Sequence, residues 1–514
     1  MAADRSGSTT LFDRWFPWTF AAGLSAVFFT LAWLRVHTLD AGFDVAYFKQ
    51  AAWQLGHGHG GFLSVRGVHL FADHAYLLMY PIAWLGRLVP LTPLLLGLQA
   101  SGLALACVPL YRLCRGPAGL GRAAAVAILV VYALHPAIQN ANAFEFHPET
   151  VTAPAAFLGA LWFGSRDRWL PAGTCVALLL LSREDYVVLV AGLAVAAFLA
   201  GRRRPALALL AGAAVWFVAV NAFMGRFPGA VEIRASRLEP FGATTAEAVR
   251  FLAGHPRVLF SQLTRPGNAD VAVGLLGPLL FLPILAPAWL LPGLALELLY
   301  LISPVAPAHE ISFQYTLMPG VCAVAAGALA LGRLGPGTPP AADDGPPPVA
   351  PLARFRRWRP AQPVLIPLVV AAALFNVQLS TSSLRRHPWQ WRHRDAVDRA
   401  RLAAARVPAS DASVAASASI LQLVAARREA YFFPAPFAAY AGRIHPPDPI
   451  PLPTRIAGVR YLLIDTTTIA TELHADMIPG VLRQLAADGT FVQLWDDHGV
   501  QVWRRAAGPG PPGP

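Results

Sequence analysis

Long apolar runs recur from Phe16 to about residue 380, and a mixed polar and apolar pattern follows to the end of the chain. About 20 helical residues cross the hydrocarbon core of a bilayer, so runs of roughly 18 or more apolar residues are typical of transmembrane helices. The pattern predicts an α-helical polytopic membrane protein with about 11 transmembrane helices. The predicted spans are Phe16–Val36, Thr92–Leu113, Leu120–Ala137, Val151–Phe163, Leu170–Ser182, Tyr186–Ala200, Pro205–Phe223, a proline-broken hairpin of two spans from Val271 to Ser303, Phe313–Leu331 and Ala361–Ser380.

The same pattern predicts the limits of the membrane domain. Residues 1–382 form the predicted transmembrane domain, whose first outer loop, 37–91, carries a surface-lying helix from Tyr76 to Leu88. The stretch 334–360 is rich in Pro, Gly and Ala, a composition typical of flexible linkers. We predict that it is a flexible cytoplasmic linker.

Segments typical of strands and of helices alternate after residue 383, which indicates a small α/β domain. We predict that this domain covers 383–508 and that a disordered Gly/Pro-rich tail, 509–514, follows it. Its predicted elements are strand Ser413–Ala416, helix Ser419–Arg428, strand Ala430–Phe433, strand Val459–Ile464, helix Met477–Ala487 and a hairpin from Phe491 to Trp503.

Composition excludes an ordinary soluble protein, because 55% of the residues are apolar and only 14% are charged. Lys49 is the only lysine, so the excess of 41 basic over 29 acidic residues consists of arginines in short loops. That distribution orients membrane helices and does not indicate nucleic-acid binding. Counted along the predicted spans, it predicts a cytoplasmic amino terminus and an extracytoplasmic C-terminal domain. Arginine in place of lysine and abundant alanine are typical of a GC-rich bacterial genome, which predicts location in a bacterial plasma (inner) membrane. The four cysteines lie in or beside apolar segments and form no CxxC pair, which supports neither a disulfide framework nor a zinc site.

Ionisable side chains gather on the predicted outer side of the membrane domain. Carboxylates and histidines near membrane segments indicate functional sites by default, because their burial is costly. Such residues form four groups along the chain, and together these groups predict one water-accessible cavity suited to general acid–base chemistry or to a divalent metal. They are Asp40, Asp44, His57, His59, His69, Asp73 and His74 in the first loop; Glu145, His147 and Glu149 in EFHPE; Arg183, Glu184 and Asp185; and His309 with Glu310.

Most of these groups also have a structural interpretation. EFHPE has the shape of a helix entry, with Pro148 at an early helical position. Asp44 is a favoured residue type for a helix N-cap. The first-loop cluster at residues 69–74 has the pattern of a helix cap or an interfacial anchor, and GHGHGG around His57 is typical of a flexible loop. Arg183 beside two acids has the pattern of a structural ion pair between spans.

Four segments carry a resemblance to a known family: FDVAYFKQAAWQLGHG from Phe43, HLFADHAYLLMYPIAWL from His69, LHPAIQNANAFEFHPET from Leu134 and LLLLSREDYVVLV from Leu178. In these segments the chain resembles the domain of unknown function 2079 family of bacterial multi-pass membrane proteins, which is grouped with the GT-C glycosyltransferases. The resemblance implies a GT-C-like fold with a large first outer loop and a catalytic cavity at the outer face.

The resemblance further implies transfer of a sugar from a polyprenyl-phosphate donor, held in the membrane lipid, to an extracytoplasmic glycan, lipid or protein acceptor. By position, Asp44 corresponds to the first-loop acid that acts as general base or helps to hold a metal. Many relatives have two adjacent acids there, whereas here Phe43 precedes Asp44 and Asp40 lies four residues back. A divalent metal therefore stays an open expectation, and no other cofactor is implied.

Residues and resemblance together give one set of expected site residues. The expected catalytic residues are Asp44, Glu145, His147, Glu149, Glu184 and Asp185, and the expected substrate-binding residues are His69, Asp73, His74, Arg183 and His309. Two other classes stay open: a transporter or flippase, and a non-catalytic envelope protein. The first predicts an inverted repeat between halves, which this sequence does not show.

Overall fold

The computed structural model describes the chain in ten stretches: 11–39, 42–230, 233, 240–242, 244–303, 305–334, 361–437, 458–468, 478–487 and 489–506. Asp40, the predicted tail and all but the first residue of the predicted linker lie outside these stretches. The described helices, in chain order, are Leu11–His37, Phe43–Gly56, Leu70–Asp73, Met79–Leu85, Leu91–Leu105, Cys107–Arg115, Arg122–Leu134, Pro136–Ala143, Glu149–Gly164, Trp169–Ser182, Val187–Leu199, Arg203–Met224, Thr245–Gly254, Pro256–Leu263, Pro266–Leu276, Pro287–Ile302, Leu317–Leu334, Ala361–Leu379, Ala396–Ala405, Ala418–Val424 and Ile478–Ala487.

The described helices confirm a mostly helical, multi-pass membrane protein but do not confirm the count of 11 spans. Five helical stretches of the described chain are long and apolar enough to cross a bilayer: Leu11–His37, Leu91–Arg115, Arg203–Met224, Gln314–Leu334 and Pro363–Arg386. A bent pair makes a sixth. Other predicted spans form helices of only 16, 14 and 13 residues, shorter than the roughly 20 residues of a full crossing: Glu149–Gly164, Trp169–Ser182 and Val187–Leu199.

The bent pair replaces the predicted continuous span Leu120–Ala137. Its helices meet at an angle of 44° at His135, because the residue before a proline disfavours helical backbone angles. His135 caps the second helix, Pro136–Ala143: its Nδ1 accepts the Ala137 N–H at 3.2 Å, and its Nε2 donates to the carbonyl of Leu275 at 3.0 Å. The segment after Ala143 carries Glu145, which bonds to Val45 of the first loop.

The predicted hairpin from Val271 to Ser303 is broken as its prolines indicate. Helix Pro266–Leu276 leads into two turns of 3-10 helix, Gly277–Leu279 and Leu282–Leu285, before helix Pro287–Ile302 begins. Leu280 and Phe281 between those turns have φ angles of 51° and 58°, and both side chains are partly exposed.

The C-terminal part contains a five-stranded sheet whose strands lie close to their predicted positions. Two short strands of the first loop, β1 (Phe62–Leu63) and β2 (Val68–His69), precede it in the chain. The sheet order is β4-β3-β5-β7-β6, in which β3 pairs in parallel with β4 and β5, and β7 runs antiparallel to β5 and β6. These strands are β3 (Val414–Ala416), β4 (Ala430–Phe432), β5 (Tyr461–Asp465), β6 (Phe491–Asp497) and β7 (Val500–Arg505).

One C-terminal helix, Ala396–Ala405, falls outside the predicted elements. It begins with a reciprocal capping box in which Asp395 accepts the N–H of Asp398 and Asp398 accepts the N–H of Asp395. The Arg/His/Trp-rich stretch before it obscured this signal.

The sheet shares a hydrophobic core with the first loop, residues 37–91. Phe48 and Ala51 of helix Phe43–Gly56 belong to the same buried cluster as Val414, Leu421 and Leu463 of the C-terminal part. A second and larger cluster lies among the membrane helices. Helix Phe43–Gly56 is therefore buried on one side by the C-terminal sheet and its helices.

Candidate active site

Helix Phe43–Gly56, which we call the Asp44 helix, begins against the EFHPE loop. Its N-cap is Gly42, so Asp44 lies in the first turn and is not the N-cap. A carboxylate from the loop caps the helix instead: Glu145 Oε2 accepts the Val45 N–H at 2.7 Å. The first amide groups of a helix lack partners within the helix, so this bond fixes the loop to the helix start.

Asp44 and His147 face each other across this junction. His147 Nε2 lies 3.4 Å from Asp44 Oδ2, and His147 Nδ1 lies 3.7 Å from Glu149 Oε1. The side chain of Asp44 is 26% exposed, whereas those of His147 and Glu149 are 4% and 0% exposed. Gln99 holds the loop by accepting the His147 N–H at 3.1 Å. Asp44 is thus the solvent-facing end of a buried acid–histidine–acid row.

The surroundings of this row shift two pKa values upward. Burial and the neighbouring Asp44 carboxylate raise the pKa of Glu145 to about 8. Burial works to lower the pKa of His147, but Asp44 and Glu149 outweigh burial and raise it. Burial beside Asp44 therefore favours the protonated form of Glu145 more than in a free glutamate.

Arg183 lies deeper, within a buried ion-pair network. Its Nη1 lies 3.2 Å from Glu149 Oε1 and its Nε lies 3.2 Å from Asp185 Oδ2, while its guanidinium stacks near the rings of Tyr300 and Tyr315. Only 3% of Arg183 is exposed. The geometry matches the structural interpretation of this cluster, since two carboxylates already balance the arginine.

Glu184 connects the same break to the first loop. Its carboxylate accepts from His74 Nδ1 at 2.6 Å and from the Ala75 N–H at 3.0 Å. Two of the predicted groups, 110 residues apart in sequence, are thereby joined directly.

Asp73 forms an ion pair with Arg66, a residue that no sequence pattern indicated. Its Oδ2 forms an ion pair with Arg66 Nη1 and accepts the Tyr47 hydroxyl at 3.2 Å. Arg66 lies in the turn between β1 and β2, and its side chain stays 30% exposed. The signal for this pair was weak, because a single arginine in a short loop has no periodic or motif context.

These groups surround an open pocket with about 550 Å³ of empty space, including the solvent at its mouth. Its ionisable wall is formed by four of the expected residues together with Arg66: Asp44, Asp73, His74 and His147. The remaining wall is largely aromatic, from Phe48, Tyr76, Phe144, Phe313 and Tyr315, with Tyr47, Gln314 and Pro307. Glu145, Glu149, Arg183, Glu184 and Asp185 lie behind this wall rather than in it.

His69 and His309, both expected to bind substrate, lie elsewhere. His69 stacks on Phe227 with ring centroids 4.1 Å apart, and burial lowers its pKa to about 4. His309 bonds to Asn268 Oδ1 at 2.6 Å and to the carbonyl of Ser303 at 2.8 Å. The structure does not bring either residue to the pocket.

The described side chains do not fit a divalent metal. Such an ion takes six or more oxygen ligands, or a tight set of nitrogen and oxygen donors. In the part of the chain that the structure describes, no three His, Cys, Asp or Glu residues converge on one point. Glu145 instead uses a carboxylate oxygen to cap the Asp44 helix.

Comparison with known proteins places this architecture in a family. The model of the DUF2079 family of predicted membrane proteins matches residues 35–458. The chain belongs to this family. A search of curated proteins finds no match to this DUF2079 protein.

The DUF2079 chain is also similar to solved structures. One is ArnT from Cupriavidus metallidurans bound to undecaprenyl phosphate, at a TM-score of 0.52 and 14% identity over 98% of this chain and all of that chain. Another is the Archaeoglobus fulgidus oligosaccharyltransferase in the apo form, at a TM-score of 0.47 and 14% identity over 98% of this chain and 76% of that chain. The likeness to ArnT shows a shared fold.

Proposed function

We propose that this protein is an integral membrane glycosyltransferase of GT-C type, which transfers a sugar from a polyprenyl-phosphate donor to an extracytoplasmic acceptor. One observation carries the proposal: Asp44 projects into an open pocket from a first turn fixed by Glu145, with His147 behind it. The fold supports the same conclusion, because it resembles that of ArnT, which was crystallised with undecaprenyl phosphate. Aromatic walls suit a sugar ring, whose apolar faces stack on them.

Asp44 is the proposed general base. It accepts the proton of the acceptor hydroxyl while that oxygen forms a bond to the anomeric carbon of the sugar. The bond from the anomeric carbon to the phosphate oxygen breaks, and its electron pair leaves on the polyprenyl phosphate. His147 orients the Asp44 carboxylate through Oδ2, and the Asp44 side chain stays 26% exposed at the pocket.

Arg66 is the proposed contact for the phosphate. It lines the pocket, whereas Arg183 is buried between two carboxylates. A guanidinium binds phosphate oxygens with paired N–H donors.

The test is a transfer assay with purified protein in lipid and radiolabelled polyprenyl-phosphate sugars. Asp44→Asn is expected to retain donor binding and to lower kcat by about 10² to 10⁴-fold, the usual contribution of a general base. Asp497→Asn in the exposed β6–β7 turn is the matched control, and its kcat should equal that of the wild type.

Two outcomes would overturn the proposal. Equal transfer by wild type and Asp44→Asn would remove Asp44 from the chemistry. Folded protein that binds none of the donors would exclude this donor class and favour a transporter or a non-catalytic envelope protein.

A further inference from the structure

The C-terminal part holds the Asp44 helix along one face. Lys49 Nζ donates to the carbonyl of Gln422 at 3.0 Å, and Gln54 Nε2 donates to the carbonyl of Arg428 at 2.7 Å. The two side chains are five residues apart on the helix and reach two successive segments of the C-terminal part. Backbone carbonyls accept both bonds, so the contact depends on the fold of that part rather than on its side chains.

A buried glutamine and serine complete this contact. Gln50 Nε2 donates to Ser64 Oγ at 2.8 Å, and Gln50 Oε1 accepts the Val65 N–H at 3.0 Å. Ser64 Oγ in turn donates to the carbonyl of Ala430 at 2.8 Å and accepts the Ala430 N–H at 2.9 Å. Ala430 is the first residue of β4, at the edge of the sheet. The first loop therefore satisfies both backbone groups where this edge strand begins.

The contact extends to the residue that starts the helix. A Cβ atom at Gly42 would lie 2.7 Å from Cδ, 2.8 Å from Nε2 and 2.9 Å from Cβ of Gln422. Real side chains do not approach so closely, so the C-terminal helix Ala418–Val424 leaves room only for glycine. The next residue, Phe43, packs edge to face on Phe432 at 5.1 Å.

The Asp44 helix is thus held from two directions. The membrane domain holds its first turn through Glu145, and the C-terminal part contacts it along one side from Gly42 to Gln54. We propose that the C-terminal sheet and its helices are a positioning element for Asp44, which they hold in register with His147, and that Gln50 and Ser64 are positioning residues. This inference rests on the proposed function of Asp44 and extends it to a part of the chain that does not line the pocket.

Two variants of the full-length protein test the proposal: one adds a side chain at Gly42, and the other also removes the Gln422 side chain that it would clash with. Gly42→Ala pushes the helix start away from Gln422, and the Gly42→Ala/Gln422→Gly double variant removes every atom of that clash. Gly164→Ala, which adds a Cβ into open space, is the matched control. Two quantities are measured: hydrogen exchange of the amides at 43–48, and kcat with KM for the donor.

Gly42→Ala is expected to speed exchange at 43–48 and to lower kcat by at least about tenfold with KM little changed, since small misplacements of catalytic groups slow the chemical step. The double variant should restore both quantities. Unchanged exchange in Gly42→Ala, or a loss of kcat that Gln422→Gly does not reverse, would overturn the proposal.

Ser64→Ala is a second variant that removes the Ala430 contact without adding bulk. It should speed exchange at 43–48 as well, and Ser64→Thr, which keeps the hydroxyl, should slow it again. If the wild type transfers no sugar, the proposed function fails, but the exchange measurements still decide whether the C-terminal part holds the Asp44 helix. Unchanged exchange in both Gly42→Ala and Ser64→Ala would refute the positioning role even in an active enzyme.

Discussion

Glu145 accepts the backbone N–H of Val45 at 2.7 Å across 100 residues of sequence, and this bond sets the neighbouring residue, Asp44, beside His147. The role of Glu145 is therefore visible in the geometry of the helix start. Glu145 lies behind the pocket wall, so in the proposed reaction it would act through the position of Asp44.

The raised pKa of Glu145 predicts a pH-dependent stability. Its pKa is about 8 in the folded protein and 4.5 in an unfolded chain, so between these values the folded state binds more protons and the free energy of unfolding falls as pH rises. Glu145→Gln mimics the protonated form and keeps an acceptor for Val45. We expect its melting temperature in detergent to fall less than that of the wild type from pH 4.5 to pH 8.

The control for this experiment is Glu310→Gln at an exposed position, which should keep the wild-type pH dependence. Parallel melting curves for Glu145→Gln and the wild type would show that Glu145 is ionised throughout this range.

Arg66 is predicted to govern donor affinity. Arg66→Ala removes the cation from the pocket, and loss of a charged hydrogen bond costs about 1.5–3 kcal/mol, or roughly 10- to 100-fold in affinity. We expect KM for the polyprenyl-phosphate sugar to rise by that factor, and Arg66→Lys to recover part of it. Arg87→Ala, at an exposed position of the same loop, is the control. An unchanged KM in Arg66→Ala would assign the phosphate to another residue.

Arg183 is predicted to matter for stability rather than for donor affinity. Arg183→Met leaves the buried Glu149 and the partly buried Asp185 without this cation, and removal of one partner costs about 3–5 kcal/mol in known buried pairs. We expect a marked drop in melting temperature, with KM for the donor unchanged in the protein that remains folded. A raised KM at an unaltered melting temperature would restore Arg183 as the phosphate ligand.

Glu297 is predicted to reduce stability. It lies in the apolar helix Pro287–Ile302, is 6% exposed, and neither carboxylate oxygen has a hydrogen-bond partner among the described residues. Replacing such a group with an apolar one of similar size removes a desolvation cost of about 1–3 kcal/mol. Glu297→Leu should therefore melt at a higher temperature than the wild type. A lower melting temperature would show that the carboxyl group has a stabilising partner.

Local signals predicted most of the elements correctly. Apolar runs gave the membrane helices, and alternating segments gave strands such as β3 and β5 to within one or two residues. The number of crossings was harder to predict, because a run of apolar residues does not show where a helix bends. The proline after His135 was visible, but the 44° bend it accompanies was not predicted.

The site was predictable where residue types themselves were unusual. Acids and a histidine in EFHPE and an acid in the first loop predicted neighbours, and the structure brings Asp44, Glu145 and His147 together. Arg66 and Gln50 were missed, because their importance comes only from tertiary partners such as Asp73 and Ser64. The same limit applies to His69 and His309, whose residue type suggested chemistry while their packing holds them away from the pocket.

The contact between Gln50 and the C-terminal part also has a consequence for biosynthesis. Gln50 Nε2 lies 3.4 Å from the carbonyl of Arg427, 377 residues later in the chain. The ribosome completes the Asp44 helix long before it synthesises the C-terminal sheet. During membrane insertion, the Asp44 helix therefore lacks its contacts with that sheet. We expect the Asp44 helix to reach its final position only when the last strands have folded and docked, so chains truncated before those strands should lack the proposed transfer activity.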